Sequence, residues 1–140
     1  MRLFAALSLA AVPAFAQPAL PVVQLNAGMH LIRAEVAADY GSRMTGLMHR
    51  RSMPSNVGML FIFDDDQRQC MWMKNTLIPL SVAFIDESGT VINIEDMAPQ
   101  TEDSHCAARP SRYALEMNKG WFAARGIKPG SRIGGIPGAK

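Results

Sequence analysis

The sequence predicts a single, mostly β domain, a sandwich or barrel with only one or two short helices. Three observations support this fold class. Short segments with alternating or continuous apolar residues recur along the chain, turn signals rich in Gly, Pro, Asn and Asp separate them, and only two short segments carry helix signals. The chain has no internal repeat and no heptad pattern.

The first sixteen residues have the features of a secretory signal peptide. Arg2 supplies the positive start, an apolar run follows as far as Val12, and Ala14-Phe15-Ala16 fits the small-x-small cleavage pattern. The apolar run is too short to span a bilayer, which needs roughly 20 residues, and no later segment could do so. We therefore expect a signal peptide at residues 1–16, a periplasmic or secreted location, and no transmembrane segment after cleavage.

The remaining chain has the length of one domain. Residues 17–24 are predicted to form a loose leader, residues 25–133 the folded domain, and residues 134–140 a flexible tail. The formal net charge of +2 falls to about +1 when Arg2 is removed. Nucleic-acid-binding proteins usually concentrate basic charge, so we expect no nucleic-acid partner. The sequence leaves the oligomeric state open.

The first half of the domain is predicted to contain two strands and a helix. Residues 29–36 alternate in polarity, which is typical of a half-buried strand. Asp39 can cap a helix that runs to about Thr45, and Gly46 can end it. Residues 58–63 form a continuous apolar run, which predicts a buried strand. The three aspartates that follow are expected to end this strand in a solvated turn.

The second half is predicted to be mostly β. The expected strands cover residues 69–73, 80–86, 90–97, 112–117 and 131–133. Glu87-Ser88-Gly89 is a hairpin signal between two of them. Residues 98–110 are polar and irregular, so a functional or mobile loop is expected there. Asn118 can cap a brief helix that ends near Arg125.

Cys70 and Cys106 are the two cysteines of the chain. In a compartment that permits disulfides, a bond between them would close a loop of about 36 residues and stabilise the fold by roughly 3 to 4 kcal/mol. A structural disulfide is the favoured interpretation. Free thiols and metal ligation remain open, because two cysteines alone do not decide between them.

Residues 70–76, Cys-Met-Trp-Met-Lys-Asn-Thr, form the most chemically dense stretch of the chain. On a strand, Met71 and Met73 would share one face, while Cys70, Trp72 and Lys74 would share the other. We therefore expect the thioethers to fill the core and the polar side chains to border a surface recess.

A set of polar and aromatic residues forms the first candidate site. The predicted ligand-binding residues are Arg43, Arg50, Trp72, Lys74, Asn75, Thr76 and Glu116. Cationic and amide donors in this set could converge on a small polar or anionic ligand above the Trp72 ring. In the alternative, Arg43 and Arg50 pair with Glu116 or Asp86 to hold loops, and Asn75 satisfies a turn.

A second candidate is a soft-metal site. Met71, Met73 and His105 carry thioether and imidazole groups of the kind that select Cu(I), so a periplasmic copper-handling role is one alternative. Methionine also fills gaps in ordinary cores, and this packing role is the favoured interpretation. The sequence predicts no resident metal and no cofactor.

No catalytic set is recognisable. His105 and Cys106 are adjacent and would point apart on an extended chain, and no pair of carboxyl groups is marked by different surroundings. The favoured interpretation is an exported small-ligand-binding or accessory module, not an enzyme. An enzyme of unrecognised class is the alternative.

Several ordered motifs resemble one family. They are Arg43-x-x-Gly46-Leu47-Met48-x-Arg50, Gly58-Met59-Leu60-Phe61, Trp72-Met73-Lys74-Asn75-Thr76-x-x-Pro79-Leu80, Phe84-Ile85-Asp86 and Leu115-Glu116. Together they resemble the DUF192 (UPF0127) family of small, often exported proteins of unknown function, over residues 25–133. The resemblance implies a compact, mostly antiparallel β sandwich or barrel of jelly-roll type, and it implies no activity and no catalytic residues.

Overall fold

The computed structural model describes residues 19–140, so the predicted signal peptide lies outside the described residues. This part of the chain contains nine strands and two short helices, which confirms the mostly β fold. In chain order the elements are β1 (Val22–Ala27), β2 (His30–Ala37), α1 (Tyr40–Thr45), β3 (Val57–Gln67), β4 (Cys70–Met71), β5 (Leu80–Ile85), β6 (Val91–Met97), β7 (His105–Cys106), β8 (Ser111–Asn118), α2 (Trp121–Ala124) and β9 (Ile133–Gly134).

Seven strands form one curled sheet in the order β6-β5-β8-β3-β2-β1-β9. Neighbouring strands are antiparallel except β2 and β3, which run parallel with Val36 opposite Leu60. A parallel pair needs a crossover, and the segment that contains α1 supplies it. The outer edges meet at one end, where Val91 N donates to Ser131 O at 2.8 Å and Ile133 N to Gly89 O at 2.9 Å. The curled sheet is therefore a half-barrel joined edge to edge at that end.

Each face of the sheet carries its own hydrophobic core. Leu60 and Leu115 belong to the first core, which also contains Trp121 and Phe122 of α2. Their strand neighbours Phe61 and Ala114 belong to the second core, beside Met73 and Leu80. Because both faces are covered, all six residues of β5 are buried. The second core lies beneath the loop after α1 and the segment after β4.

Helix α1 forms where the sequence predicts it. Ser42 N donates to the Asp39 carboxylate at 2.8 Å, and Gly46 ends the helix with φ of +48°. The second helix differs from the prediction, because it begins after Gly120 and not after Asn118. The Asn118 side chain instead donates to Met53 O at 2.8 Å. Neither helix in residues 19–140 is long and apolar enough to cross a bilayer.

Strand β1 occupies part of the predicted leader. It pairs with β2, Leu25 opposite Ile32, and with β9 at its other edge. The strand is short, and polar Gln24 and Asn26 alternate with its buried residues. The neighbours on both sides therefore hold it in place, and they are supplied by distant parts of the chain.

The predicted flexible tail is packed onto the domain. Ile136 is buried in the first core. The Tyr113 hydroxyl donates to Pro137 O at 3.3 Å, and Lys140 N donates to Glu87 O at 3.1 Å. Residues 134–140 pack against the domain because one apolar side chain enters the core and the surrounding backbone groups find partners.

Two other local predictions are corrected. The aspartates at residues 64–66 lie within β3, which continues to Gln67, opposite Ser111. Arg112 also donates to Asp64 O at 2.8 Å, so the polar extension is held against β8. Strand β7 lies inside the predicted irregular loop, where it pairs with β4 in a separate ribbon.

The ribbon carries the predicted disulfide. Cys70 and Cys106 are directly opposite each other in β4 and β7, and their sulfurs are bonded at 2.10 Å. Asn93 fastens the ribbon to the sheet, since its side chain donates to Cys106 O at 3.2 Å and accepts from Ala108 N at 2.9 Å. The disulfide interpretation is thus confirmed, and neither cysteine is free.

Candidate functional site

A cavity of about 310 Å³ opens over the second core. Its walls are α1 with the turn that follows, the end of β3, and the segment from Gln69 to Thr76, while β8 contributes Glu116 from the sheet. The lining residues are Tyr40, Arg43, Met44, Thr45, Gly46, Leu47, Met48, Phe61, Phe63, Asp64, Asp65, Gln69, Cys70, Met71, Trp72, Lys74, Thr76 and Glu116.

Glu116 is the buried acid of this cavity. It lies on β8 between two apolar cross-strand partners, Met59 on β3 and Val82 on β5, and only 4% of it is exposed. Gly58 allows the strands to approach closely, because a Cβ there would collide with Glu116 O and the Met117 sulfur. The apolar environment of the side chain is therefore imposed by the central position of β8 in the sheet.

The Glu116 carboxyl has no hydrogen-bond partner among residues 19–140. Burial disfavours its charged form and raises its pKa from 4.5 to about 8. At neutral pH the carboxyl is accordingly mostly protonated, and it can donate as well as accept a hydrogen bond. A perturbed acid in a cleft is a recognised mark of a functional site.

Arg43 lines the cavity, but its guanidinium is engaged elsewhere. It donates to Ala38 O at 2.6 Å and to Ile62 O at 3.1 Å, and it pairs with Asp64 at 2.8 Å. These bonds hold α1 against the end of β3. Arg43 therefore holds loops in place, as the alternative from the sequence proposes. Its ion-pair partner is Asp64, however, and not Glu116 or Asp86.

Trp72, Lys74 and Thr76 line the cavity from the segment that follows β4. The Lys74 ammonium lies 5.2 Å from the centre of the Trp72 ring, a cation–π distance, and the Trp72 residue is 38% exposed. Thr76 is buried and its hydroxyl donates to Lys74 O at 3.1 Å. Lys74 and Thr76, two of the polar members of residues 70–76, therefore line the cavity together with Trp72.

The predicted strand alternation holds only in part. Strand β4 ends at Met71, and a turn follows in which Thr76 N donates to Met73 O at 3.1 Å. Asn75 adopts a left-handed conformation in this turn, with φ of +53°. Met73 is fully buried in the second core as predicted, whereas Met71 is only partly buried and lines the cavity.

Two predicted site residues lie outside the cavity. Arg50 forms a two-pronged ion pair with Glu35 of β2. Asn75 uses its backbone carbonyl to accept from His49 N at 2.9 Å, and its exposed side chain does not line the cavity. Both residues hold loops in place. The structure thus brings together Arg43, Trp72, Lys74, Thr76 and Glu116.

Several cavity residues were not predicted from the sequence. Tyr40 and Met44 lie four residues apart on α1, so they share one helix face, and Arg43 lies beside them. Phe61 and Phe63 lie two residues apart on β3, and their rings stack with centroids 6.5 Å apart. Both spacings are visible in the sequence and could have identified these walls.

Most of the side chains considered as soft-metal ligands have other structural roles. Both cysteine sulfurs are consumed in the disulfide, and Met73 fills the core. His105 lies opposite Met71 in the ribbon. Of the three predicted copper ligands, these two are therefore neighbours. No group of three or more His, Cys, Asp or Glu side chains within residues 19–140 is placed to hold a metal ion.

The fold and cavity define a small β domain whose curled sheet presents one buried acid to an aromatic-walled recess. The chain belongs to the DUF192 family, described as "Uncharacterized ACR, COG1430", whose profile matches residues 22–135. The match begins at the first residue of β1, which agrees with a folded domain that includes this strand.

Two solved structures have the same fold. One is described as a "putative transcription regulator" from Sinorhizobium meliloti 1021; it is 36% identical, with a TM-score of 0.80, and the alignment covers 86% of this chain and 98% of that one. The other is a protein of unknown function from Novosphingobium aromaticivorans DSM 12444; it is 32% identical, with a TM-score of 0.75, covering 85% and 93%. No curated protein matches the chain.

Proposed function

We propose that this protein is an exported binding module that takes a small ligand into the cavity beside Glu116. The observation that carries the proposal is the carboxyl of a buried glutamate that has no hydrogen-bond partner within residues 19–140 and faces an aromatic-walled cavity. A ligand group that bonds to Glu116 in the cavity would give its carboxyl the hydrogen-bond partner that residues 19–140 do not supply.

The size and lining of the cavity suit a compact ligand. Small-molecule sites usually range from roughly 300 to 1,000 Å³ and combine apolar walls with a few polar groups. At about 310 Å³ this cavity lies at the lower end. Phe61, Phe63 and Trp72 supply apolar surface, whereas Glu116 and Thr76 supply oriented polar atoms.

The exported location is part of the proposal. Disulfides persist in oxidising compartments and are rare in the cytosol. The bond between Cys70 and Cys106 therefore supports the location that residues 1–16 predict.

A fragment screen by NMR tests the binding function. Fragments that bind should shift the Trp72 indole N–H and backbone signals around Glu116, while leaving the Trp121 indole in the other core unchanged. Met44→Trp should fill the cavity and abolish these shifts. Met29→Trp is the matched control, because Met29 is 88% exposed and does not line the cavity. If no fragment shifts the cavity signals, or if Met44→Trp binds as wild type does, the proposal is wrong.

Proton-transfer catalysis is a second candidate, favoured by the same side chain. A general acid or base is most effective when its pKa lies near the working pH, and burial raises the pKa of Glu116 to about 8. No nucleophile or second acid within residues 19–140 is hydrogen-bonded to it, so binding is the better-supported function. Turnover of an ester, phosphate or glycoside substrate that is lost in Glu116→Gln would favour the enzyme.

The description of the Sinorhizobium meliloti protein does not extend well to this chain. Reading DNA in the major groove commonly uses a recognition helix and a basic surface. Helices α1 and α2 span six and four residues. The formal net charge is +2. These features support a small molecule over a nucleic acid as the partner.

A further inference from the structure

We propose that the cavity selects an organic ammonium ion, a compact primary amine whose cationic head pairs with the Glu116 carboxylate while its apolar body packs between Phe63 and Trp72. This inference rests on the proposed binding function and names its ligand class. It names a cationic ligand, where the sequence predicts a small polar or anionic one.

The first argument is that Glu116 lacks an internal cation. The partly buried acids Glu35 and Asp86 each have one, since Glu35 pairs with Arg50 and Asp86 with Arg109. Glu116 forms no ion pair with any residue from 19 to 140. A buried carboxyl without a cation remains protonated, and it ionises readily only when a cation pairs with it, so an ammonium ligand would supply the partner that the ionised Glu116 side chain lacks.

The second argument is the charge balance around the cavity. The charged lining groups are Arg43 from α1, Asp64 and Asp65 from β3, Lys74 from the turn after β4, and Glu116 from β8. The Arg43–Asp64 pair is internally neutral. Once Glu116 is ionised, two acids, Asp65 and Glu116, face one base, the exposed Lys74. An anion would approach Glu116 and Asp65 without a dedicated cation, whereas an ammonium ion would meet two acids.

The third argument is the aromatic lining. Ring faces attract cations, and the Trp72 ring already has the Lys74 ammonium 5.2 Å from its centre, so Phe61 and Phe63 are the rings open to the head of a ligand. The Phe63 and Phe61 rings supply further apolar surface beside the acid. The rings can therefore contact the apolar body of an amine and attract its positively charged ammonium group.

Binding is coupled to loss of one proton. In the free protein at neutral pH the Glu116 carboxyl is mostly protonated, because burial raises its pKa to about 8. When the ammonium ion binds, the carboxyl O–H bond breaks, its proton passes to solvent, and the carboxylate pairs with the intact ammonium. No covalent bond forms. The affinity for an amine therefore rises with pH, whereas the affinity for an anion that bonds to the neutral acid falls.

Calorimetric titration with three probes of similar size tests the class. The probes are 2-phenylethylamine, 2-phenylethanol and 3-phenylpropionate, which differ mainly in charge. We expect the amine to bind most tightly, and its affinity to rise roughly 50-fold from pH 6 to pH 8, the ratio of ionised fractions for a pKa of about 8. Buffers of different ionisation enthalpy should report release of close to one proton at pH 6.

Two variants and one spectroscopic measurement locate the effect. Glu116→Gln should weaken amine binding and remove its pH dependence, while Glu102→Gln, an exposed acid outside the cavity, should behave as wild type does. In the wild-type protein, the Glu116 side-chain carbon signal should titrate near pH 8 alone and at lower pH with the amine. This measurement does not require the variant to fold.

The outcomes separate the ligand class from the function. Tighter binding of phenylpropionate, amine binding without pH dependence, or amine binding retained by Glu116→Gln would each overturn the ammonium inference and leave the binding function intact. The same holds if the three probes fail while other fragments shift Trp72. If neither the probes nor any fragment binds at the cavity, the proposed function itself fails.

Discussion

Cys70 and Cys106 stand directly opposite each other in the β4–β7 ribbon, and the disulfide between them closes one wall of the cavity. Cys70 itself lines the cavity, two residues before Trp72. The covalent link therefore fixes the segment that carries Trp72 and Lys74 against a distant part of the chain.

Removal of the disulfide should weaken both the fold and the wall of the cavity. The bond spans 36 residues. The chain-entropy estimate for such a loop is roughly 3 to 4 kcal/mol. We expect Cys70→Ala/Cys106→Ala to lose about this much free energy of unfolding, measured by urea denaturation. Wild type in reductant should match the variant, and the variant should be insensitive to reductant. Equal stability of all three samples would contradict the prediction.

The stability of the domain should fall as pH rises because of Glu116. Burial raises its pKa from 4.5 to about 8. Below pH 4.5 the Glu116 carboxyl is protonated in both the folded and the unfolded chain. Between pH 4.5 and about 8 the carboxyl is ionised in the unfolded chain but still protonated in the folded chain. The free energy of unfolding should therefore decrease across this window, by at most about 1.4 kcal/mol per pH unit, and level off above pH 8.

Urea denaturation from pH 5 to 8 measures this dependence. Glu116→Gln should remove most of the slope, because its amide does not titrate, and it should unfold at higher urea than wild type at pH 8. Glu102→Gln should retain the wild-type slope. If Glu116→Gln and wild type give parallel pH profiles, the buried acid is not the cause.

Arg43 should contribute more to stability than its partner Asp64. Arg43→Ala removes a donor from Ala38 O and Ile62 O as well as the ion pair. Two carbonyls lose their donor, so we expect a loss of about 1 to 3 kcal/mol. Asp64→Asn should cost less than about 1 kcal/mol, because the Asp64 side chain is 80% exposed. Thermal unfolding of both variants measures these losses of stability. If the two variants lose the same free energy of unfolding, the ion pair accounts for the contribution of Arg43.

Met73 should be required for packing. It is fully buried in the second core. Met73→Ala should cost about 2 to 5 kcal/mol and Met73→Leu less than about 1.5 kcal/mol. Met29→Ala, at an exposed position, should change stability by less than about 0.5 kcal/mol.

Copper titration followed by tryptophan fluorescence tests the copper hypothesis separately. Met71→Leu/Met73→Leu should leave the fluorescence response to copper unchanged. A response that is lost in this variant would restore the copper hypothesis.

The predicted signal peptide implies a defined mature terminus. When the chain is expressed in a bacterium with a secretory pathway, we expect it in the periplasm or medium, with Gln17 as its first residue. N-terminal sequencing and intact mass measure this directly, and replacing the apolar run with polar residues should retain the protein in the cytoplasm. Recovery of the chain from the periplasm with Met1 intact would show that it is not cleaved.

Local sequence patterns were sufficient for much of the fold. Alternation identified β2, the apolar run identified β3, and Asp39 with Gly46 bounded α1. These features depend on residues close together in the chain. Strands β1 and β7 and the packed segment around Ile136 were missed, because each is held by partners from distant segments and carries a weak pattern of its own.

The candidate site could be predicted in part, because some of its residues are close together in the chain. Trp72, Lys74 and Thr76 are neighbours in sequence, so their clustering was evident. Arg50 was included because of its charge, but Glu35, opposite Met59 in the parallel strand pair, engages it instead. Side-chain type indicates which bonds a residue can form, and only its spatial neighbours select among them.

The amino-acid sequence alone was enough to predict a β-rich domain, one capped helix, a cysteine pair and a dense segment around Trp72, since each depends on short-range periodicity or residue chemistry. The tertiary structure decided that β8 lies between β3 and β5, which places Glu116 between Met59 and Val82 and open to the cavity. Periodicity specifies which face of a strand is buried but not which strands become its neighbours. The burial, pKa and missing partner of Glu116 follow from those neighbours.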